Sequence, residues 1–126
     1  MKILITGING LVGNSLFKLL QNSDHKLFFS SRNLGGLANY KVDISNKEEV
    51  NDFFISQKPD IVINCAAMAN VDLCEEEKEL CWKINVSGVK NLVDACKRHS
   101  THLTHISTDY IFAVSYTHLT LPTTLS

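Results

Sequence analysis

The stretch "KILITGINGLVGNSLFKLL", residues 2–20, decides the fold of this chain. It begins with a β-branched and leucine-rich run that ends at a glycine, as a strand covered on both faces does. Glycines then stand at positions 7, 10 and 13, and apolar residues resume at helical spacing, with one stripe formed by Leu11, Ser15, Leu16, Leu19 and Leu20. The predicted order of strand, glycine turn and helix opens a βαβ unit.

The same alternation continues along the chain. Further strands are predicted at 26–30, 40–43, 60–67 and 102–107, and the apolar positions between Leu73 and His99 recur at helical intervals. Strands that alternate with helices are joined by right-handed crossovers, which produce a parallel sheet with helices on both faces. The predicted class is therefore α/β, a Rossmann-type doubly wound sheet of five strands in the order 3-2-1-4-5.

The second helix has a start signal of its own. "SNKE", residues 45–48, reads as a capping box in which Ser45 accepts from the first helical amides and Glu48 reaches back. Val50, Phe53 and Phe54 follow as the predicted buried face. Pro59 ends this unit.

Composition narrows the range of partners. The 126 residues fit one domain with a real core, and a formal charge of −1 gives no electrostatic case for nucleic acid or an anionic membrane. No apolar stretch is long enough for a membrane helix and no leader precedes the first strand, so a cytoplasmic protein that binds small molecules is expected. The cysteines lack paired C-x-x-C spacing, which favours packed thiols over a metal site at Cys65, Cys74, Cys81 and Cys96.

The pattern T-G-x-x-G-x-x-G at residues 6–13 predicts a dinucleotide site. Gly7 permits the tight turn, Gly10 lets the backbone approach a pyrophosphate, and Gly13 lets the helix pack closely on the strand. Unpaired amides and the helix dipole supply positive potential at the same point. The alternative is an ordinary strand-to-helix turn whose small residues serve packing alone.

The end of the second strand favours NADPH over NADH. An NAD site usually places a carboxylate there for the ribose diol, whereas this chain has Ser30, Ser31 and Arg32. Arg32 is a planar, permanently charged donor for a 2′-phosphate, or else a solvated loop cation. Asp43, at the end of the third strand, either accepts from the adenine amino group or only begins the turn to Ser45.

Taken together, six segments resemble the dTDP-4-dehydrorhamnose reductase family of extended short-chain dehydrogenases/reductases. They are the glycine pattern at 6–13, "VD" at 42–43, "NCAA" at 64–67, "VDLCE" at 71–75, "KINVSGVKNLVDAC" at 83–96 and "HISTDYIF" at 105–112. The resemblance implies NADPH-dependent reduction of the 4-keto group of a dTDP-linked 6-deoxysugar, yielding dTDP-rhamnose. It also leaves open a homodimer of the full-length parent protein.

The resemblance also implies roles for particular residues. The pyrophosphate would be lined by Gly7, Asn9, Gly10, Leu11, Val12 and Gly13. Arg32 would face the ribose phosphate, Asp43 and Ile44 the adenine, and Ala66 and Ala67 the nicotinamide ribose. Val71, Asp72, Asp109 and Tyr110 would lie toward the sugar nucleotide. Thr108 matches the family's catalytic Ser/Thr, which hydrogen-bonds the reacting carbonyl; for an isolated "STD" the other interpretation is a strand end followed by a turn.

The family's proton donor is a Tyr-x-x-x-Lys pair, in which lysine lowers the pKa of the tyrosine. Four residues after Tyr40, Tyr110 and Tyr116 stand Ile44, Val114 and Thr120, so the pair is not found in this sequence. Residues 113–126, "AVSYTHLTLPTTLS", carry no charge and depart from the family pattern. We therefore expect a cofactor-binding part at 1–112, an atypical and non-native tail at 113–126, and no turnover by this chain alone.

Two other functions stay open at this point. One is a non-catalytic NAD(P)-binding regulatory module that keeps the dinucleotide fold. The other is a different nucleotide-sugar enzyme, namely another reductase, an epimerase or a dehydratase. A Tyr-x-x-x-Lys further along the gene would support an enzyme, whereas its absence would support a binding module.

Overall fold

A computed structural model describes residues 1–66 and 76–106 and the backbone of 111–114. The parallel strands are β1 (Lys2–Thr6), β2 (Lys26–Ser31), β3 (Tyr40–Lys41), β4 (Ile61–Asn64) and β5 (His102–Ile106). They lie in the order β3-β2-β1-β4-β5, which confirms the predicted order. At the edge a further strand, β6 (Ile111–Val114), pairs antiparallel with β5, so the predicted boundary at residue 112 falls inside a strand.

The described helices connect these strands. They are α1 (Leu11–Leu20), α2 (Lys47–Gln57), α3 (Lys78–Trp82), a π-helical segment (Lys83–Gly88) and α4 (Val89–His99). The long helix predicted from Leu73 to His99 is thus interrupted by a π-helical turn, and its first residues lie outside the described part. Within the described ranges, no helix combines the length and apolar character that a membrane span requires.

Hydrophobic cores lie on both faces of the sheet, as a doubly wound fold requires. On one face Leu4, Phe28 and Val62 pack with residues of α2 and α4, and the predicted buried face of α2 is fully or nearly fully covered there. On the other face Ile3 and Ile5 pack against α1. Phe28 meets Phe53 edge-on at 5.3 Å between ring centroids, which joins β2 to α2.

The stripe predicted on α1 is only partly right. Leu16, Phe17 and Leu20 pack against the sheet, whereas Leu11 and Leu19 are 88% and 77% exposed. Leu11 is the first residue of the helix. The packing face is therefore rotated toward Phe17, which meets Phe29 at 4.9 Å between ring centroids.

The predicted cap of α2 is wrong by one residue. Asn46 is the N-cap, and its side chain accepts from the backbone amides of Glu48 and Glu49. Ser45 does not cap the helix because its hydroxyl donates to Asp43 Oδ1 at 2.6 Å. The helix itself starts as expected, since either residue type suits an N-cap.

Candidate functional site

The glycine turn joins the carboxyl ends of β1 and β4. Gly7 has φ +65°, a left-handed conformation that favours glycine. A Cβ built on Gly7 would lie 2.6 Å from the backbone nitrogen of Ala66 and 2.6 Å from the backbone carbon of Cys65. The turn therefore presses directly on the end of β4, which brings the predicted diphosphate and nicotinamide-ribose positions together.

The other two glycines of the pattern differ in what surrounds them. A Cβ on Gly13 would lie 2.4 Å from the carbonyl oxygen of Gly7 and 2.6 Å from Ile8 Cα, so close packing of α1 on the turn requires a glycine. Among the residues that the structure describes, a Cβ on Gly10 would meet only the carbonyl oxygen of Gly7, at 3.4 Å, which is ordinary contact. The chain itself thus explains Gly7 and Gly13 but leaves Gly10 without an internal reason.

The start of α1 is open to an anion. Gly10 is the N-cap with no side-chain cap, and the first helical turn contains no acidic residue. Val12 is 42% exposed, and its neighbour Leu11 is more exposed still. Asn14, a residue that the sequence patterns did not single out, donates through Nδ2 to the carbonyl oxygens of Gly10 at 2.8 Å and Ile8 at 3.4 Å. It holds the carbonyls of the turn on the side of the helix, and no side chain caps the first helical amides.

The loop after β2 is attached to the glycine turn. The Ile8 amide donates to the Ser30 carbonyl at 3.0 Å, and the Asn9 side chain contacts Ser31, Gly35 and Leu37. Arg32 lies in this loop, exposed, and within residues 1–66 and 76–106 it forms no ion pair. The turn and Arg32 are therefore neighbours, with the guanidinium available to a ligand.

Asp43 and Ile44 sit in the connection from β3 to α2. Asp43 Oδ1 accepts from the Ser45 amide at 3.0 Å as well as from its hydroxyl. The Ile44 side chain is 3% exposed, and its carbonyl accepts from Asn91 Nδ2 at 2.9 Å. A Cβ on Gly88 would meet the Ile44 side chain at 2.6 Å, so the π-helical segment packs tightly on it. These two residues are held mainly by the protein, and their predicted contact with adenine stays a prediction.

A row of three polar side chains, buried or partly buried, links β1, β4 and β5 near the carboxyl ends of these strands. Thr6, Asn64 and His105 stand opposite one another in register on β1, β4 and β5. Asn64 Oδ1 accepts from the Thr6 hydroxyl at 2.5 Å and from the Ala66 amide at 3.2 Å. Because the Ala66 N–H fixes Oδ1 on that side, Asn64 Nδ2 faces His105 Nδ1, at 2.9 Å. The sequence patterns did not single out this row, whose signal is a polar residue that ends β1 and β4 and is next to last in β5.

His105 is predicted to make folding sensitive to mild acid. Burial lowers the pKa of His105 below its ordinary value of 6.5, and Nδ1 must be unprotonated to accept from Asn64. The unfolded chain therefore binds the proton first, and stability falls as the pH drops below about 6.5. We expect the urea midpoint to decrease from pH 7 to pH 5 in the wild type and to decrease less in His105→Gln. Equal decreases in both proteins would contradict this role.

The described cysteines carry no nucleophilic chemistry. Burial raises the pKa of Cys65 to about 11 and that of Cys96 to about 12, so both thiols stay protonated near neutral pH. The expectation of a packed thiol is wrong for Cys81, whose sulfur is in a disulfide bond that spacing along the sequence did not reveal. The described part of the chain has no group of metal-ligating side chains.

Several predicted site residues lie outside the described residues. They are Ala67, Val71, Asp72, Thr108, Asp109 and Tyr110. Cys74 lies outside them as well. The predicted roles of these residues stay predictions. The strands that lead to them, β4 and β5, are parallel to β1, so their carboxyl ends lie on the same side of the sheet as the glycine turn.

Comparisons with known proteins agree with this architecture. The family model described as the RmlD substrate binding domain matches residues 1–119. A dTDP-4-dehydrorhamnose reductase of Aggregatibacter actinomycetemcomitans is 38% identical over 112 residues, which is 88% of this chain and 36% of that protein. The chain thus spans little more than a third of the relative's length.

Solved structures give the same result. The crystal structure of a dTDP-4-dehydrorhamnose reductase from Clostridium acetobutylicum has a TM-score of 0.77 and 42% identity, over 87% of this chain and 37% of that one. The enzyme of that name from Bacillus anthracis, in complex with NADP, has a TM-score of 0.74 and 33% identity, over 87% of this chain and 38% of that one. Because the family model matches residues 1–119 of the 126, the chain belongs to the RmlD substrate binding domain family, the family of the dTDP-4-dehydrorhamnose reductases.

Proposed function

We propose that these 126 residues form the NADP(H)-binding part of a nucleotide-sugar reductase. The observation that carries the proposal is the contrast among the three glycines of the turn. Gly7 and Gly13 have backbone atoms within 2.7 Å of where a Cβ would stand, whereas Gly10 has one neighbour among the described residues, at 3.4 Å. Because Gly10 also begins an uncapped helix, the space beside it suits a diphosphate that approaches the backbone closely.

Arg32 supports the phosphorylated dinucleotide in particular. It follows β2 where an NAD site would carry a carboxylate, and it is exposed and not engaged in an ion pair with any described residue. An arginine binds a phosphate through two parallel hydrogen bonds, which the ribose diol of NADH does not offer. The NADP complex of the Bacillus anthracis relative supports the same choice.

For the full-length protein we propose reduction of the 4-keto group of dTDP-4-dehydrorhamnose to dTDP-rhamnose. The cofactor would supply the hydride when bound, and Thr108 would hydrogen-bond the carbonyl oxygen as negative charge develops on it. Val71, Asp72, Asp109 and Tyr110 would face the sugar nucleotide. The names of the relatives support this substrate, and the position of the cofactor turn beside the ends of β4 and β5 supports the arrangement.

A binding module without catalysis is the second candidate. None of the three tyrosines in these 126 residues is followed by lysine at the fourth position, and a Tyr-x-x-x-Lys further along the gene would contradict this candidate. A positioned proton donor contributes about 10² to 10⁴ in rate. For this chain itself we therefore propose cofactor binding without turnover.

Replacing Gly10 with alanine tests the proposal. We expect the wild-type chain to enhance NADPH fluorescence in a saturable titration and Gly10→Ala to bind at least about tenfold more weakly, because one misplaced methyl displaces the diphosphate from the amides. The folded state should lose only about 0.5 to 1 kcal/mol, the usual difference between glycine and alanine at an N-cap.

Leu19→Ala is the matched control, because Leu19 lies on the same helix and is 77% exposed. It should leave both stability and NADPH affinity at the wild-type values. A wild-type chain that folds but binds neither NADPH nor NADH would contradict the proposal. Tight binding by Gly10→Ala would contradict the role of the open position.

A further inference from the structure

Asn9 stands within the glycine turn, but its side chain points to another loop. Its Nδ2 donates to the Gly35 carbonyl at 3.0 Å and lies 3.4 Å from Ser31 Oγ, while its Oδ1 accepts from the Leu37 amide at 2.8 Å. Both polar atoms of the amide are thus used to hold the segment that follows β2. The side chain acts as a clamp between two loops that are far apart in sequence.

The held segment, residues 31–38, is shaped to receive this side chain. Gly36 has φ +56°, and a Cβ there would lie 2.4 Å from Asn9 Oδ1, so the Asn9 amide occupies the space that a side chain at position 36 would need. The Ala38 amide donates to the Gly35 carbonyl at 3.0 Å, which closes the loop on itself. Two backbone groups and one missing side chain therefore fix the loop against the turn.

Arg32 is the charged residue of the segment that the Asn9 side chain holds. It lies between Ser31 and Asn33, and the Ser31 hydroxyl donates to the Asn33 backbone carbonyl. The Arg32 side chain is exposed, and the loop backbone alone determines where it starts. An arginine on a mobile loop loses more conformational freedom when it binds a phosphate than one on a fixed loop.

We propose that Asn9 is a specificity-determining positioning residue, which fixes Arg32 for the 2′-phosphate of a phosphorylated dinucleotide. The proposal rests on the proposed cofactor site and adds the residue that sets the preference between its two dinucleotides. NADH lacks the 2′-phosphate and does not need Arg32. Loss of the clamp therefore weakens NADPH binding selectively.

The test compares NADPH and NADH affinities in Asn9→Ala and Asn14→Ala. Both asparagines hydrogen-bond the same turn, but only Asn9 contacts the 31–38 loop. For Asn9→Ala we expect NADPH affinity to fall about five- to tenfold and NADH affinity to fall less than about twofold, as loss of one well-aligned charged contact would give. For Asn14→Ala we expect both affinities to fall by the same factor, because both ligands share the diphosphate.

A second readout keeps the clamp separate from the cofactor site. The Leu37 amide should exchange with solvent deuterium faster in Asn9→Ala than in the wild type, with or without nucleotide, because its acceptor is gone. If Asn9→Ala does not fold, Gly36→Ala presses on the same contact from the loop side and should reduce the NADPH preference likewise.

The outcomes separate the two proposals. A wild type that binds neither nucleotide overturns the cofactor proposal. If the wild type prefers NADPH and Asn9→Ala keeps that preference, Asn9 does not determine specificity and the present inference is overturned. Equal weakening of both nucleotides by Asn9→Ala also overturns it, since the side chain would then serve the diphosphate turn alone.

Discussion

Gly13→Ala is expected to lower the free energy of unfolding by about 3 kcal/mol, the upper part of the range for overpacked sites. The new Cβ would lie 2.4 Å from the Gly7 carbonyl oxygen and 2.6 Å from both Ile8 Cα and the Ile8 carbonyl oxygen. All three are backbone atoms of a turn that the Ile8 amide anchors to Ser30. They cannot move aside without separating α1 from the sheet.

Urea unfolding of Gly13→Ala beside Gly10→Ala gives the decisive comparison. Intrinsic helix propensity favours alanine over glycine by about 1 kcal/mol inside a helix, so it opposes the expected loss at position 13. Gly10→Ala should stay close to the wild type in stability while losing nucleotide affinity. A Gly13→Ala protein as stable as the wild type would show that α1 does not pack on the turn as described.

Asn64→Ala should destabilise the chain by a similar amount, about 3 kcal/mol, since it leaves buried polar groups without partners and opens a small cavity. Asn64 is 0% exposed and hydrogen-bonds the Thr6 hydroxyl, the Ala66 amide and His105. The substitution therefore removes the side-chain hydrogen bonds between β1, β4 and β5 at the carboxyl ends of these strands, where the candidate site lies. Differential scanning calorimetry would record the change.

Thr6→Val is the matched control for that substitution. It preserves shape and removes only one donor, while the Ala66 amide still satisfies Asn64 Oδ1. Its expected cost is about 1 kcal/mol, the net value of a single hydrogen bond. If Thr6→Val and Asn64→Ala lowered the free energy of unfolding by the same amount, the hydrogen bonds from Asn64 to the Ala66 amide and to His105 would add nothing to stability.

Local sequence signals were sufficient for the five parallel strands and their order, but they missed β6. β1 was predicted to the residue, because an apolar run that stops at a glycine leaves no alternative boundary. Crossover handedness and strand adjacency then gave the order of the five parallel strands. The cap of α2 was misplaced because Ser45 and Asn46 are both good caps, and the choice depended on a bond from Ser45 to Asp43.

The parts that sequence patterns missed depend on contacts between distant segments. Only the fold shows that Asn9 fills the space beside Gly36. The π-helical turn at Lys83–Gly88 was not predicted, and its last residue packs against Ile44, which is distant in sequence. The polar row from Thr6 to His105 was readable in principle, because Thr6 and Asn64 end apolar strands and His105 is the next-to-last residue of β5, at matching register.

The pairing of β1 has a consequence for how the chain is made. Its partners are β2 on one side and β4 on the other, so Ile3 stands between Leu27 and Ile61 in the finished sheet. During synthesis β2 emerges first, and one hydrogen-bonding edge of β1 waits until residue 61 has left the ribosome. In that interval the nascent chain presents a bare strand edge, and chaperone capture or self-association competes with completion of the sheet.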